Sequence, residues 1–377
     1  MKAISAIVLG GSNTVMRPGY ITELPSAYSK HGISLTIQGN LAVGNTPSLM
    51  GLITLKENED SLKSVDALFI EYTLNDTDIF RLYKGTFEDL RKWQAAVEGT
   101  IRYARTINPF LKIIPIILAA KDGIHRTMIN PLHSGLCYLS DYYNLCVADV
   151  NMSFTKRFGK AYGDLTGVYQ DFGHYSRPIF TSLAAEYIAE ATHSYLLANR
   201  VEFILLSSIS DRCYEIMGSV RADLVIGLRS DKFKNYLYDE TTFDLATGDI
   251  ELTIENGAPV AIKYVCTEDI SRLYVFNNDK WYLCNTLQPG MEEPKYKFLV
   301  SMAYLEDLKH SSGMNKYKLS CHCPDGVDAI PLHQHVGKPP TRPEMRLPIS
   351  NIAYTGTLKS VKVIGHVVEP ARREVTS

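Results

Sequence analysis

Lys2-Ala3-Ile4-Ser5-Ala6-Ile7-Val8-Leu9-Gly10-Gly11-Ser12-Asn13-Thr14 is the stretch on which the fold turns. A short, largely apolar run that stops at Gly-Gly-Ser-Asn reads as a buried strand closing on a tight turn. Lys2 followed by the apolar run Ala3 to Leu9 also has the look of a short signal peptide. That run is shorter than most h-regions, carries one positive charge and ends without an Ala-x-Ala-like site, so it reads as a first β-strand. Four further short runs, Ser34–Ile37, Ala67–Glu71, Lys112–Leu118 and Leu145–Val150, have the same character. Between the third and fourth, Phe87, Leu90, Trp93, Val97, Ile101 and Ala104 recur at steps of three and four, which predicts an amphipathic helix facing a sheet. Thr86, with Asp89 three residues on, resembles a capping arrangement at its start. Phe180, Leu183, Tyr187, Ile188, Ala191 and Tyr195 predict a closing helix by the same spacing. Strands alternating with helices imply an α/β domain of three layers with a parallel sheet, over about residues 1–205.

Beyond that point the helical period fades. Ile250–Ile254, Ala261–Val265, Leu273–Phe276, Trp281–Leu283, Tyr296–Leu305, Asn351–Thr357 and Ser360–Val368 read as strands, punctuated by Asn256-Gly257 and Asn277-Asn278-Asp279 as turns. Residues 206–377 are expected to form a second, mainly β domain, a sandwich or a barrel. Pro339-Pro340-Thr341-Arg342-Pro343 is expected to be a loop.

The chain has 377 residues, 45% hydrophobic and 21% charged. That length suggests two domains, and the composition excludes disorder, collagen and coiled coil. With 39 Lys and Arg against 41 Asp and Glu, a net charge of −2, no global basic field exists to hold a polyanion, so nucleic acid is not an expected partner. No stretch approaches the ~18 apolar residues of a membrane span. Seven cysteines spread through the chain resemble reduced thiols more than a disulfide framework, which points to the cytoplasm.

The chemistry gathers after the expected strands. Ser12 follows the first, Gly44 the second and Asn75 the third, and Asp171-Phe172-Gly173-His174 lies near the end of the domain. Ligands of open α/β sheets bind at the carboxyl ends of strands. A serine nucleophile needs a base, an anion to orient that base, and donors for the developing oxyanion. Ser12, His174 and Asp171 supply the first three, while the N–H of Gly44 and the amide of Asn75 supply donors. Each segment taken alone also reads as an ordinary turn.

Ser, Gly, Asn and His in this chain order resemble the four blocks of the SGNH (GDSL-like) hydrolase family, over about residues 1–200. The resemblance implies Ser12 as nucleophile, the N–H of Ser12 with Gly44 and Asn75 as the oxyanion hole, and His174 with Asp171 as base and orienting acid. Two positions depart from the family pattern: Gly11 stands immediately before Ser12 where Asp is usual, and Thr73 stands in the glycine place of the third block. Asp122-Gly123-Ile124-His125 repeats the Asp-x-x-His spacing. It follows the fourth strand, before the sheet is complete, so His174, which a helix follows, is the expected base.

Weaker signals remain. Arg17, Tyr20 and Arg177 flank these blocks as candidate substrate-binding residues. Cys321, Cys323, His333 and His335 are metal-ligand types, but Cys-x-Cys lacks the usual spacing of a zinc site, so no metal is expected. The 23 tyrosines suit either a sugar-stacking surface or a β core. The expected activity is that of a serine esterase cleaving short-chain acyl esters, acetyl above all, on a carbohydrate, without a cofactor. The alternatives are a glycan O-acetyltransferase that uses the same residues with a donor such as acetyl-CoA, and a non-catalytic binding protein on this fold.

Overall fold

The computed structural model describes residues 1–79, 87–121, 130–292, 296–305, 308, 311–332, 346–365 and 374–376. It divides into two compact units, Met1–Glu215 and Ile216–Ser377. The first runs β1 (Lys2–Gly10), a helical turn α1 (Ser12–Val15), α2 (Tyr20–Ser29), β2 (Ile33–Asn40), α3 (Ser48–Glu57), α4 (Glu59–Lys63), β3 (Ala67–Glu71), α5 (Thr73–Ile79), α6 (Phe87–Ile107), β4 (Lys112–Ile117), α7 (Pro131–Tyr142), β5 (Ala148–Asp149), α8 (Val150–Phe158) and α9 (Ile179–Leu197). The five strands lie in the order β2-β1-β3-β4-β5, all parallel.

Parallel strands covered on both faces are apolar throughout. That is why Ala6 to Leu9 and the whole of β3 and β4 are buried. On one face Ile4, Ala6, Val8, Phe69, Ile114 and Ile116 share a core with Tyr28, Phe154, Tyr175 and Ile188 of the neighbouring helices and loop. The opposite face is covered by the predicted stripe of α6, where Trp93, Val97, Ile101 and Ala104 are buried. The expected three layers are thus in place. The expected cap at Thr86 and the second Asp-x-x-His at Asp122 and His125 lie outside the described residues.

One expected strand is shorter than the sequence suggests. Of Leu145–Val150 only Ala148–Asp149 pairs with β4. Asn144 takes a left-handed conformation (φ 51°), and the Leu145 N–H still donates to Ser140 O of α7 (2.8 Å). At the other end the Asp149 carboxylate accepts the Met152 N–H (2.7 Å), capping α8 so that Val150 is already helical.

The second unit is a sandwich. Its strands are β6 (Gly218–Arg221), β7 (Ser230–Lys234), β8 (Asp239–Asp244), β9 (Asp249–Glu255), β10 (Pro259–Cys266), β11 (Leu273–Asn277), β12 (Lys280–Cys284), β13 (Leu299–Tyr304), β14 (Met314–Ser320), β15 (Ile330–Pro331), β16 (Pro348–Tyr354), β17 (Thr357–Ile364) and β18 (Glu374–Thr376). They form one sheet ordered β13-β10-β16-β8-β7-β18, with β6 also on β16, and a second ordered β15-β12-β11-β14-β9-β17. Ile262, Tyr264 and Ile352 of the first sheet meet Leu252, Val275, Tyr317 and Leu319 of the second in one core, which selects sandwich over barrel. Asn278 and Asp279, both at positive φ (49° and 60°), make the tight turn between β11 and β12. The Pro-rich segment at 339–343 lies outside the described residues.

Candidate active site

The chain passes from β1 to β2 on one side of the sheet, then crosses back to β3 on the other. The carboxyl ends of β1 and β3 therefore mark a topological switch point, the crevice where open α/β sheets bind ligands. Two glycines allow the turn there. A Cβ on Gly10 would lie 2.2 Å from Thr14 Oγ1, and one on Gly11 would lie 2.5 Å from Asn75 Nδ2. With both absent, Gly11 N–H donates to Glu71 O (3.1 Å) and Ser12 opens α1, where its own N–H has no intrahelical partner.

His174 reaches Ser12 from 162 residues along the chain. Its Nε2 lies 2.8 Å from Ser12 Oγ, and its Nδ1 lies 2.8 Å from both carboxylate oxygens of Asp171. Asp171 Oδ1 also accepts the backbone N–H of Gly173 and of His174, each at 2.9 Å. Partial burial pushes the Asp171 carboxyl up. The bonds from His174 and these N–H groups outweigh it and hold the carboxyl below its ordinary range, so it is an anion beside the imidazole. Sequence reasoning missed Asn13, a buried residue whose Nδ2 donates to Gly173 O (2.8 Å) and ties the histidine loop to the nucleophile turn. The only signal was its place between Ser12 and Thr14.

The two expected oxyanion donors lie beside the same turn. Val43 N–H donates to Gly10 O (3.0 Å), which seats the next residue so that a Cβ on Gly44 would be 3.8 Å from Ser12 Cβ. Asn75 gives one amide hydrogen to Thr46 O (Nδ2 to O, 3.0 Å), leaving its second for another acceptor. Thr73, in the family's glycine place, turns away and donates to Ile116 O of β4 (3.3 Å).

Two carboxyl groups are sealed behind the loops. Asp76 accepts Ser48 N–H (2.8 Å) and Trp93 Nε1–H (3.1 Å), and Glu71 accepts Thr14 Oγ1–H (3.0 Å). Burial pushes Glu71 up to about 8 and Asp76 up to about 7, although these donors pull the other way.

Tyr20 is corrected. It is 2% exposed, and its hydroxyl meets Thr14 Oγ1 at 2.7 Å, because the first residue of α2 points into the core. Burial holds its phenol well above the ordinary value. Arg17 is exposed, and its carbonyl lies 3.5 Å from Arg177 Nη1; Arg177 also donates to Gln170 Oε1 (3.2 Å). These groups rim the triad. In the second unit Cys321 is buried with its thiol 3.4 Å from Leu245 O, while His333 and His335 lie outside the described residues. Among the described residues no group of three or more His, Cys, Asp or Glu is placed to hold a metal ion, and no helix is long and apolar enough to cross a membrane.

No family model matches the chain, and no curated protein sequence is similar to it. Among solved structures, a two-domain esterase active on acetylated mannans, co-crystallised with mannopentaose, is 13% identical, with a TM-score of 0.60, covering 95% of this chain and 92% of its own. A second structure of the two-domain esterase active on acetylated mannans gives a TM-score of 0.58 at 13% identity and the same coverage. This likeness establishes the fold over both units: an α/β unit with a parallel sheet followed by a β unit.

Proposed function

We propose that the protein is a serine esterase of the SGNH type that removes acetyl or other short acyl groups from a carbohydrate through an acyl-Ser12 intermediate. The observation that carries this is the relay from Asp171 through both nitrogens of His174 to Ser12 Oγ, with links of 2.8 Å. Ser12 Oγ attacks the ester carbonyl while its proton passes to His174 Nε2. The oxyanion is met by the N–H of Ser12, the N–H of Gly44 and the free amide hydrogen of Asn75. Collapse releases the sugar alkoxide, which takes the proton from His174. Water, activated by the same imidazole, then splits the acyl-serine and acetate leaves.

The fold likeness to an esterase acting on acetylated mannans supports an acetylated mannan-type glycan as the substrate class, and Arg17 and Arg177 at the rim are the side chains we assign to its hydroxyls. The β unit is a further candidate for holding the glycan. The seven cysteines are free thiols, which supports a reducing compartment, the cytoplasm.

The test is p-nitrophenyl acetate hydrolysis with and without an oligosaccharide acceptor, for wild type, Ser12→Ala and His174→Ala. Loss of turnover in both variants is expected. Unchanged activity in both would overturn the triad. Acceptor-dependent product with negligible hydrolysis would make the enzyme an O-acetyltransferase, with acetyl-CoA as the donor to try next.

A further inference from the structure

A groove of about 530 Å³ opens between α2 and β2, with Ile21 and Pro25 on the helix side and Leu35 to Gln38 on the strand side. That volume lies within the range of small-molecule sites, about 300–1,000 Å³. Two of its lining residues are bonded to the turn that carries Ser12. Met16, at one end, donates its N–H to Ser12 O (3.1 Å), and Asn40, which also lines it, donates through Nδ2 to Thr14 O (3.0 Å). Four residues past Asn40 on the same loop stands Gly44, against Ser12.

The edge strand β2 carries a register shift beside the groove. Along β1, Ala6 pairs with Ile37 but Ile7 pairs with Gly39, so Gln38 is an inserted residue, a bulge of the kind that re-aims side chains beside active sites. Bulges in parallel pairs are rare. Thr36 and Gln38 are both exposed on this edge strand, and among the described residues Arg17 is the charged side chain in the lining.

We propose that this groove is the subsite for the neutral sugar residues next to the acetylated one, so that the enzyme reads a length of glycan chain and not a lone acetylated sugar. A pyranose has an apolar C–H face and a belt of hydroxyls, which match Ile21, Pro25 and Leu35 on the one hand and Arg17, Thr36 and Gln38 on the other. A long acyl chain would cover those three polar groups without giving them partners, a loss of hydrogen bonding that disfavours it. Among the described residues the lining has no carboxylate to draw a cation. The inference rests on the glycan-esterase reading above.

The experiment compares kcat/KM for p-nitrophenyl acetate, an O-acetylated hexose, and an O-acetylated hexose oligosaccharide several residues long. Wild type, Thr36→Trp, which fills the groove from the edge strand, and Arg17→Ala are measured, with Ser12→Ala as the blank. The oligosaccharide is expected to exceed the monosaccharide by roughly 10-fold, the worth of one or two net hydrogen bonds. Thr36→Trp erases that advantage while its p-nitrophenyl acetate turnover stays within about twofold of wild type, and Arg17→Ala reduces it. A chain-length advantage absent from wild type, intact in both variants, or lost only in step with p-nitrophenyl acetate would overturn the groove. If wild type cleaves p-nitrophenyl acetate through Ser12 but no acetylated sugar, the groove's occupant is wrong and the serine-esterase reading stands. Sugar ester cleavage that survives Ser12→Ala would overturn that reading instead.

Discussion

Asp171 and Asp76 both serve the loops around Ser12, yet their surroundings are opposite. The Asp171 side chain is 50% exposed, accepts two backbone N–H groups and faces a histidine, and its carboxyl is held low. Asp76 is 1% exposed, and its carboxyl is pushed up to about 7 by burial. Glu71, equally buried, goes further, to about 8. Environments that drive carboxyl pKa values apart assign different work to the same chemical group. In the proposed mechanism the rim carboxylate is the anion that orients His174 and steadies its imidazolium. The buried pair, pushed up by burial, accept hydrogen bonds that hold the turn carrying Ser12 and the start of α5 that carries Asn75.

The largest effects test the rim. Ser12→Ala and His174→Ala are expected to lower kcat by a factor on the order of 10⁶, because triad members act as a unit. Asp171→Asn keeps the shape but removes the charge and favours the wrong imidazole tautomer, a loss on the order of 10⁴. Steady-state kcat on p-nitrophenyl acetate checks all three. If Asp171→Asn cost less than about tenfold, the contrast between rim and interior would have no catalytic meaning. Asn75→Ala removes one oxyanion donor and is expected to cost about 10²–10³ in kcat with KM little changed.

Asn13→Ala is a subtler probe of how the rim is held. The side chain touches no reacting atom; it anchors Gly173 O across 160 residues of chain. Loosening the histidine loop should lower kcat by about 10–100-fold, the scale of a misplaced catalytic group. A loss confined to thermal stability would make Asn13 a packing residue only.

How far these features are legible in the sequence follows from the range of the interactions that create them. The strands of the first unit are near-continuous apolar runs, and their alternation with helical stripes fixes a parallel sheet. The convergence of Ser12, Gly44, Asn75 and His174 follows, since each comes after a strand or opens toward the last helix. The strands β7 and β8 are hidden in the sequence. Ser230–Lys234 and Asp239–Asp244 carry three charged residues each, and their buried carboxylates Asp231 and Asp244 are paired with Arg346, far along the chain. Tyr20 misleads for the same reason: only the fold sets its hydroxyl against Thr14, and Thr14 against Glu71.

The smallest expected effect on activity comes from the interior, and it separates the two kinds of carboxyl by sign. Glu71→Gln and Asp76→Asn mimic the protonated forms and should leave kcat within a few-fold at pH 6. Their signature is in stability. A carboxyl whose folded pKa is raised binds more protons folded than unfolded, so its contribution is fully present below the unfolded value and is lost as pH rises through the folded one. For Glu71 the window runs from 4.5 to about 8, and for Asp76 from 3.8 to about 7. Asp171, held low, works the other way: its contribution is present above 3.8 and fades as pH falls below that value. Wild-type Tm should therefore decline between pH 5 and pH 8, each kcal/mol lost being worth about 2–4 °C for a unit of this size. Glu71→Gln should flatten the upper half of that decline. In Glu71→Gln a slope equal to that of wild type would show that Glu71 is already ionised beneath the nucleophile turn, and the contrast with Asp171 would collapse.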